Sequence, residues 1–191
     1  MGSRSDNMNA LEYAKLAVSE IKEIIGNTEE GQLECLVSEI LHAKSIYIAG
    51  AGRSLLMVRA FAMRLMHIGL NTHVVGDVTT PAIAKDDLLL IASASGETGT
   101  LLVIKEKARK IGSKIAVITA HPNSTLARDA DLVVMIPGAT DKVAGGFQSK
   151  QPAGNCFEQS LLVIADGMIM ELAERLGLNP SAGFSNHANL E

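Results

Sequence analysis

The chain has no tryptophan, and Phe, Trp and Tyr together make up only 3% of its 191 residues. Single-stranded nucleic acid is held largely by bases stacking on aromatic rings, so that class of site has little to stand on here. Basic charge is not in excess either: 17 Lys and Arg against 21 Asp and Glu leave a formal net charge of −4. That balance supplies no phosphate-neutralising surface of the kind duplex binding requires. Cysteine is equally scarce. Cys35 and Cys156 are too few for a disulfide framework and lack metal-ligand spacing. Apolar runs stay short, Leu161 to Ala165 stopping at Asp166, against the ~18 residues of a membrane span. The first residues lack the apolar segment of a signal peptide. A cytoplasmic location is expected. Met1 to Asn7 are small and polar, and Met8 is a candidate natural start behind an added leader.

What is present suffices for a core: 47% of residues are apolar and 20% charged, the composition of an ordinary globular chain. Length and the lack of an internal linker predict one domain over residues 8–191. Leu11, Ala14, Ala17, Val18, Ile21, Ile24 and Ile25 recur at helical spacing, so an amphipathic helix is expected over about 9–25. A second helix is expected from Thr28-Glu29-Glu30 to about His42. The period then changes. Short apolar runs, Ser45–Ala49, Thr72–Val75, Leu88–Ser93, Lys114–Thr119 and Leu132–Ile136, alternate with helical segments. Runs of this kind predict buried strands in βαβ units around a parallel sheet. A final helix is expected over about Phe157–Leu176, with Leu161, Ala165, Ile169, Leu172 and Leu176 on one stripe. The fold class is therefore α/β: a three-layer α-β-α sandwich around a five-stranded parallel sheet of flavodoxin-like doubly wound type, order 2-1-3-4-5. Ligands of such sheets bind where the first and third strands diverge, at their carboxyl ends.

Two loops leave that point. Gly50-Ala51-Gly52-Arg53-Ser54 follows the first strand and enters a helix, whose free amides attract an anion. Close packing of the turn explains the glycines equally well. Leu55 stands where a dinucleotide site needs a third glycine, although Asp77 after the second strand imitates a ribose-binding acid. Ser93-Ala94-Ser95-Gly96-Glu97-Thr98 follows the third strand. Hydroxyls at i and i+2, a glycine and Thr98 put several donors at one helix terminus, which is what a phosphate monoester needs. A cap with Ser95 at the N-cap and Thr98 at N3 accounts for one serine but not for both.

Ser93 to Thr98 resembles the phosphate-binding loop of the sugar isomerase (SIS) domain family. Within it the chain is similar to the 6-phospho-3-hexuloisomerases in Ala49–Ser54, Phe61-Ala62-Met63-Arg64-Leu65-Met66-His67, Thr79-Thr80-Pro81, Gln151-Pro152, Phe157–Leu162 and the terminal His187-Ala188-Asn189-Leu190-Glu191. The likeness runs from about Met8 to the end. It departs at Leu55 for a usual glycine, at Ala94, at Asp77 for a usual glutamate, and across Gly154-Asn155-Cys156. The resemblance implies interconversion of 3-hexulose 6-phosphate and fructose 6-phosphate through an enediol, with no cofactor and no metal. It also implies a homo-oligomer, a tetramer, and a place in the ribulose monophosphate pathway of formaldehyde assimilation. Gly52, Arg53, Ser54, Ser93, Ser95, Gly96, Glu97 and Thr98 are the candidate substrate and phosphate contacts.

An enediol route needs a base beside the carbonyl carbon and a donor for the oxyanion. Glu158 is the candidate base, because related SIS isomerases carry a glutamate at this topological point. By position alone it is an acid favouring a helix dipole, behind a loop holding Gly145, Gly146, Pro152 and Gly154. Of the five histidines, His42 and His121 read as solvated and His73 as part of a strand. That leaves His67 and His187 as catalytic candidates. His67 lies fourteen residues past Arg53, about 21 Å along a helix, too far for the phosphate loops of its own subunit. It is a helix-end histidine unless oligomer packing brings it to a neighbour's site. His187 belongs to a polar tail that ordinarily frays, and the family's terminal motif argues for a role. Arg59 and Arg64 read as surface or interface charges on a helix apolar nearly all round, which wants cover from a second subunit. Two other readings stay open: a non-catalytic sugar-phosphate sensor, and an aldose–ketose isomerase acting on a pentose phosphate. A sensor would normally bring a DNA-binding segment, whereas the leading helices are acidic (Glu12, Glu20, Glu23, Glu29 and Glu30).

Overall fold

The leading helix α1 (Ala10–Gly26) starts at a capping box, in which the Asn9 side chain accepts from the Leu11 and Glu12 amides and Glu12 accepts from the Asn9 amide. The computed structural model describes residues 8–138, 149–152, 154–178, 186–187 and 189–190. The leader Met1–Asn7, Gly145 and Gly146 of the loop, and Ala188 and Glu191 of the tail lie outside them. After α1 follow α2 (Glu30–His42), β1 (Ile46–Gly50), α3 (Gly52–His67), β2 (Thr72–Val74), β3 (Leu88–Ala92), α4 (Gly99–Ile111), β4 (Lys114–Thr119), β5 (Leu132–Met135) and α5 (Asn155–Arg175).

All strand pairs are parallel, in the order β2-β1-β3-β4-β5. The strands are apolar without interruption because both faces of the sheet are covered. Ile46, Ile48, Leu88, Leu90, Ala116, Ile118 and Val134 point into one core with α2, α3 and α5. Tyr47, Ala49, Leu89, Ile91, Ile115 and Val117 point into the other, under Leu101 and Ala108 of α4. This is the expected doubly wound sandwich. In register, Gly50 pairs with Ala92, so the loops that leave β1 and β3 start side by side at the switch point.

The close approach in the turn after β1 falls on Gly50, where a Cβ would lie 3.0 Å from Leu55 Cα and 3.2 Å from Val58 Cγ2. The N-cap of α4 is Thr98, not Ser95, so Ser93–Thr98 stands as a loop ahead of the helix. The apolar stripes also overreach: Leu11 and Val18 are 64% and 66% exposed and Leu176 is 40% exposed. Helix α1 packs on α5, and only Glu20 and Ile24, in its second half, are buried.

Candidate functional site

The loop after β3 turns at a glycine where any side chain would have to displace its neighbour. Gly96 has φ 65°, and a Cβ there would fall 2.0 Å from Ser124 Oγ and 2.3 Å from Ser124 Cβ. That approach lets the Gly96 carbonyl accept from the Leu126 amide at 2.9 Å. Ser93 is buried, its amide donating to the Ile118 carbonyl at 3.0 Å. The hydroxyls converge: Ser93 Oγ and Thr98 Oγ1 are 3.2 Å apart, the Gly96 amide donates to Ser93 Oγ at 3.2 Å, and the Glu97 amide donates to Ser95 Oγ at 3.3 Å. No side chain caps α4, which leaves its first amides facing the loop. The Glu97 carboxylate does not join this cluster. It accepts from the Thr125 amide at 2.8 Å, and that bond holds its pKa below the ordinary value. Glu97 is thus a brace between two loops.

Beside that loop, Gly52 opens α3 with φ 56°, and Ser54 is buried in its first turn. Arg53 reaches from α3 to α5. Its Nε lies 3.4 Å from Glu158 Oε2, and its Nη1 donates to Asn155 Oδ1. Glu158 sits in the first turn of α5 behind Gly154, an N-cap at φ 86° with no side-chain bond. Its side chain is only 14% exposed. Burial pushes the Glu158 carboxyl above the ordinary value and the Arg53 charge pulls part of the way back. A carboxylate raised by burial and steadied by a fixed cation can accept and return a proton.

His67 and His187 form a second group at the far end of α3. Their rings stack with centroids 5.0 Å apart at 26°, while Asn186 Nδ2 donates to the Met66 carbonyl at 3.4 Å. Burial first, then the neighbouring His187 and Arg64, lower the His67 pKa, which favours a neutral ring near pH 7. This pair stands at the opposite end of α3 from Arg53, about 21 Å along the axis. One chain therefore gathers the predicted residues into two sets and does not bring either histidine to Glu158. The other histidines are elsewhere: His42 is exposed with Nδ1 2.6 Å from the Ser38 carbonyl, and His73 lies against Tyr47 on the edge strand β2. His121 is half-buried in the loop after β4.

Asp77 is engaged by Arg59 of α3 in an ion pair, so it is not held out for a ribose. Nothing local in the sequence singles out Ser124 or Thr125, and Asn155 joins them as a residue seen first in the structure. Asn155 had a readable signal, since it precedes Glu158 by three residues and shares its helix face. Ser124 and Thr125 follow β4, the strand next to β3, and only the sheet order brings them to Gly96 and Glu97. A cleft lined by Glu39, His42, Lys85, Asp86, Asp87 and Lys114 opens at the opposite, amino, end of the strands. It shares no residue with either group. Among the described residues, no three His, Cys, Asp or Glu side chains gather as a metal set, and no helix is long and apolar enough to cross a membrane.

The SIS domain family matches residues 39–161, which reach from the end of α2 through the phosphate-type loop to Glu158, and the chain belongs to that family. Full-length relatives narrow the class. The chain is 40% identical to the 3-hexulose-6-phosphate isomerase of Bacillus subtilis, covering 96% of this chain and 100% of that protein. It is 42% identical to the 3-hexulose-6-phosphate isomerase of Mycobacterium gastri, over 92% of this chain and 88% of that one. A crystal structure from Methanococcus jannaschii, from which a 3-hexulose-6-phosphate isomerase function was inferred, superposes with TM-score 0.81 at 34% identity, over 94% of this chain and 99% of the other. Within the SIS family the chain falls in the 3-hexulose-6-phosphate isomerase branch and is an isomerase of sugar phosphates.

Proposed function

We propose that the chain interconverts 3-hexulose 6-phosphate and fructose 6-phosphate through the 2,3-enediol, with Glu158 carrying the proton. The observation that carries this reading is the half-enclosed Glu158 carboxylate beside Arg53, raised in pKa by burial, at the end of the sheet where the Ser93–Thr98 loop begins. The phosphate is held by the Ser93, Ser95 and Thr98 hydroxyls and the first amides of α4. From fructose 6-phosphate, Glu158 takes the C3 proton as the C2 carbonyl becomes an enediol oxygen. The same acid returns the proton to C2 while the carbonyl forms at C3, and Arg53 faces the developing oxyanion. Gly52 and Ser54 keep the first turn of α3 close to the substrate.

A neutral His67 stacked on His187 supplies a donor and acceptor for the oxygens, in a site completed by a second copy of the chain. The support is geometric. The pair cannot reach its own Glu158, and α3 carries exposed Leu56, Met63 and Met66 along the flank that ends beside it. Glu158→Gln is the direct test. It should lower kcat by about 10²–10⁴-fold, the span of a positioned general base. It should also abolish solvent deuterium exchange at C3 of fructose 6-phosphate; near-normal exchange would remove Glu158 from the reaction.

A further inference from the structure

Helix α1 contributes one buried carboxylate for which the proposed reaction has no direct use. Glu20 is 8% exposed and lies on the apolar face with Ala17, Ile21 and Ile24, where a charge is costly unless it is fully hydrogen-bonded. It is. Glu20 Oε2 accepts from Ser149 Oγ at 2.8 Å and Gln151 Nε2 at 2.9 Å, and Oε1 accepts from the Lys150 amide at 3.2 Å. The buried Cys156 thiol lies within reach of both Glu20 Oε2, at 3.3 Å, and Ser149 Oγ, at 3.0 Å. Every one of these partners belongs to residues 149–151 or to the first turn of α5. The next bonds lead on to the site. The Pro152 carbonyl accepts from the Asn155 amide at 3.2 Å, Asn155 Oδ1 accepts from Arg53, and the Glu158 amide closes the turn on the Gly154 carbonyl at 3.1 Å.

We infer that Glu20 is a positioning residue for the isomerisation: it latches the segment ahead of α5 to α1 and so fixes where Glu158 stands against Arg53. The inference rests on the assignment of Glu158 as proton carrier. Because α5 begins at a glycine N-cap with no side-chain bond, the Glu20 bonds are what tie the segment ahead of its first turn to α1. Loss of the latch lets the turn slacken, exposes Glu158 and spoils the angle at which it meets the substrate. The phosphate loop on β3 is untouched.

The test compares Glu20→Ala, Glu20→Gln and Glu158→Gln in the full chain with fructose 6-phosphate. A small misplacement of a catalytic group lowers turnover by about 10–100-fold, so Glu20→Ala should lose that much in kcat while KM stays within about threefold. Its acid limb should move down toward the ordinary carboxylate range, since burial is what raises Glu158. Glu20→Gln keeps one acceptor oxygen and should recover part of the loss. In the Glu158→Gln background the same Glu20→Ala change should cost less than about twofold, because residues acting as one unit are not additive. Should Glu20→Ala fail to fold, Glu20→Gln and Gln151→Ala carry the same comparison. Wild-type kcat in these variants, or a loss matching the unfolded fraction with an unmoved acid limb, overturns the inference. An inactive Glu158→Gln beside a fully active Glu20→Ala sinks the latch alone. An active Glu158→Gln sinks the choice of base, and the latch with it.

Discussion

Gly96→Ala should be one of the most damaging single-methyl changes in the molecule, and its cost can be worked from the contact. The new Cβ would meet Ser124 Oγ at 2.0 Å and Ser124 Cβ at 2.3 Å. Rotating the hydroxyl away relieves only the first. Ser124 itself has little freedom: it is buried, its amide donates to the His121 carbonyl at 3.0 Å, and its own carbonyl accepts from the Arg128 amide at 2.9 Å. Left-handed backbone costs a non-glycine residue about 1–2 kcal/mol, and overpacking a fixed neighbour adds about 1–3 kcal/mol. The expected loss is therefore about 2–5 kcal/mol of stability, read from urea unfolding at fixed protein concentration. Displacing Ser124 also strains the Leu126-to-Gly96 bond and the Thr125-to-Glu97 brace, so KM for fructose 6-phosphate should rise. Ser124→Gly removes both clashing atoms. In that background Gly96→Ala should cost only the backbone share, leaving a coupling of about 1–3 kcal/mol. Equal costs in the two backgrounds, or a Gly96→Ala variant within about 0.5 kcal/mol of the wild type, would refute the steric argument.

Ser95→Ala should weaken substrate binding by about 1.5–3 kcal/mol, one charge-assisted bond, and leave the circular dichroism spectrum unchanged; an unaltered KM would remove Ser95 from the phosphate site. The acid limb of kcat/KM should lie above the ordinary carboxylate range, because Glu158 works as a base only when ionised and its folded pKa is raised. Arg53→Met removes the charge that opposes that rise and should move the limb further up; a downward move would contradict the ordering of causes. For stability the sign is the reverse of a salt-bridged acid: a raised folded pKa means that the folded chain binds the proton more tightly. Wild type should therefore lose stability relative to Glu158→Gln as pH rises from the unfolded pKa through the folded one, as thermal midpoints of the two proteins will show. Mixed oligomers of Glu158→Gln and His187→Ala, each inactive alone, should regain part of the activity; verified mixed oligomers that stay inactive would mean that each site is built within one chain.

The features legible in the sequence were those whose physics is local. A buried parallel strand announces itself by an unbroken apolar run, and Leu88–Ala92 was bounded to within a residue because both of its neighbours cover it. The Ser93–Thr98 loop was readable because its hydroxyls and its glycine act on each other over five residues. Glu20 was not readable, although the signal was present as an acid on the apolar side of its helix. In the sequence it is only one of several acids on the leading helices, because its partners lie about 130 residues away. The brace from Glu97 to Thr125 and the seat of Gly96 on Ser124 failed for the same reason: both depend on β4 lying beside β3. The histidines show a different limit. Fourteen helical steps from Arg53 to His67 keep that histidine from the Arg53 end of its own helix, which is simple arithmetic on the sequence, and it stacks on His187 at the far end of α3. Under the proposed two-copy site, the exposed Leu56, Met63 and Met66 on α3 are where a second copy would be received. An antiparallel meeting of two such helices would carry each histidine pair to the Arg53 end of its neighbour.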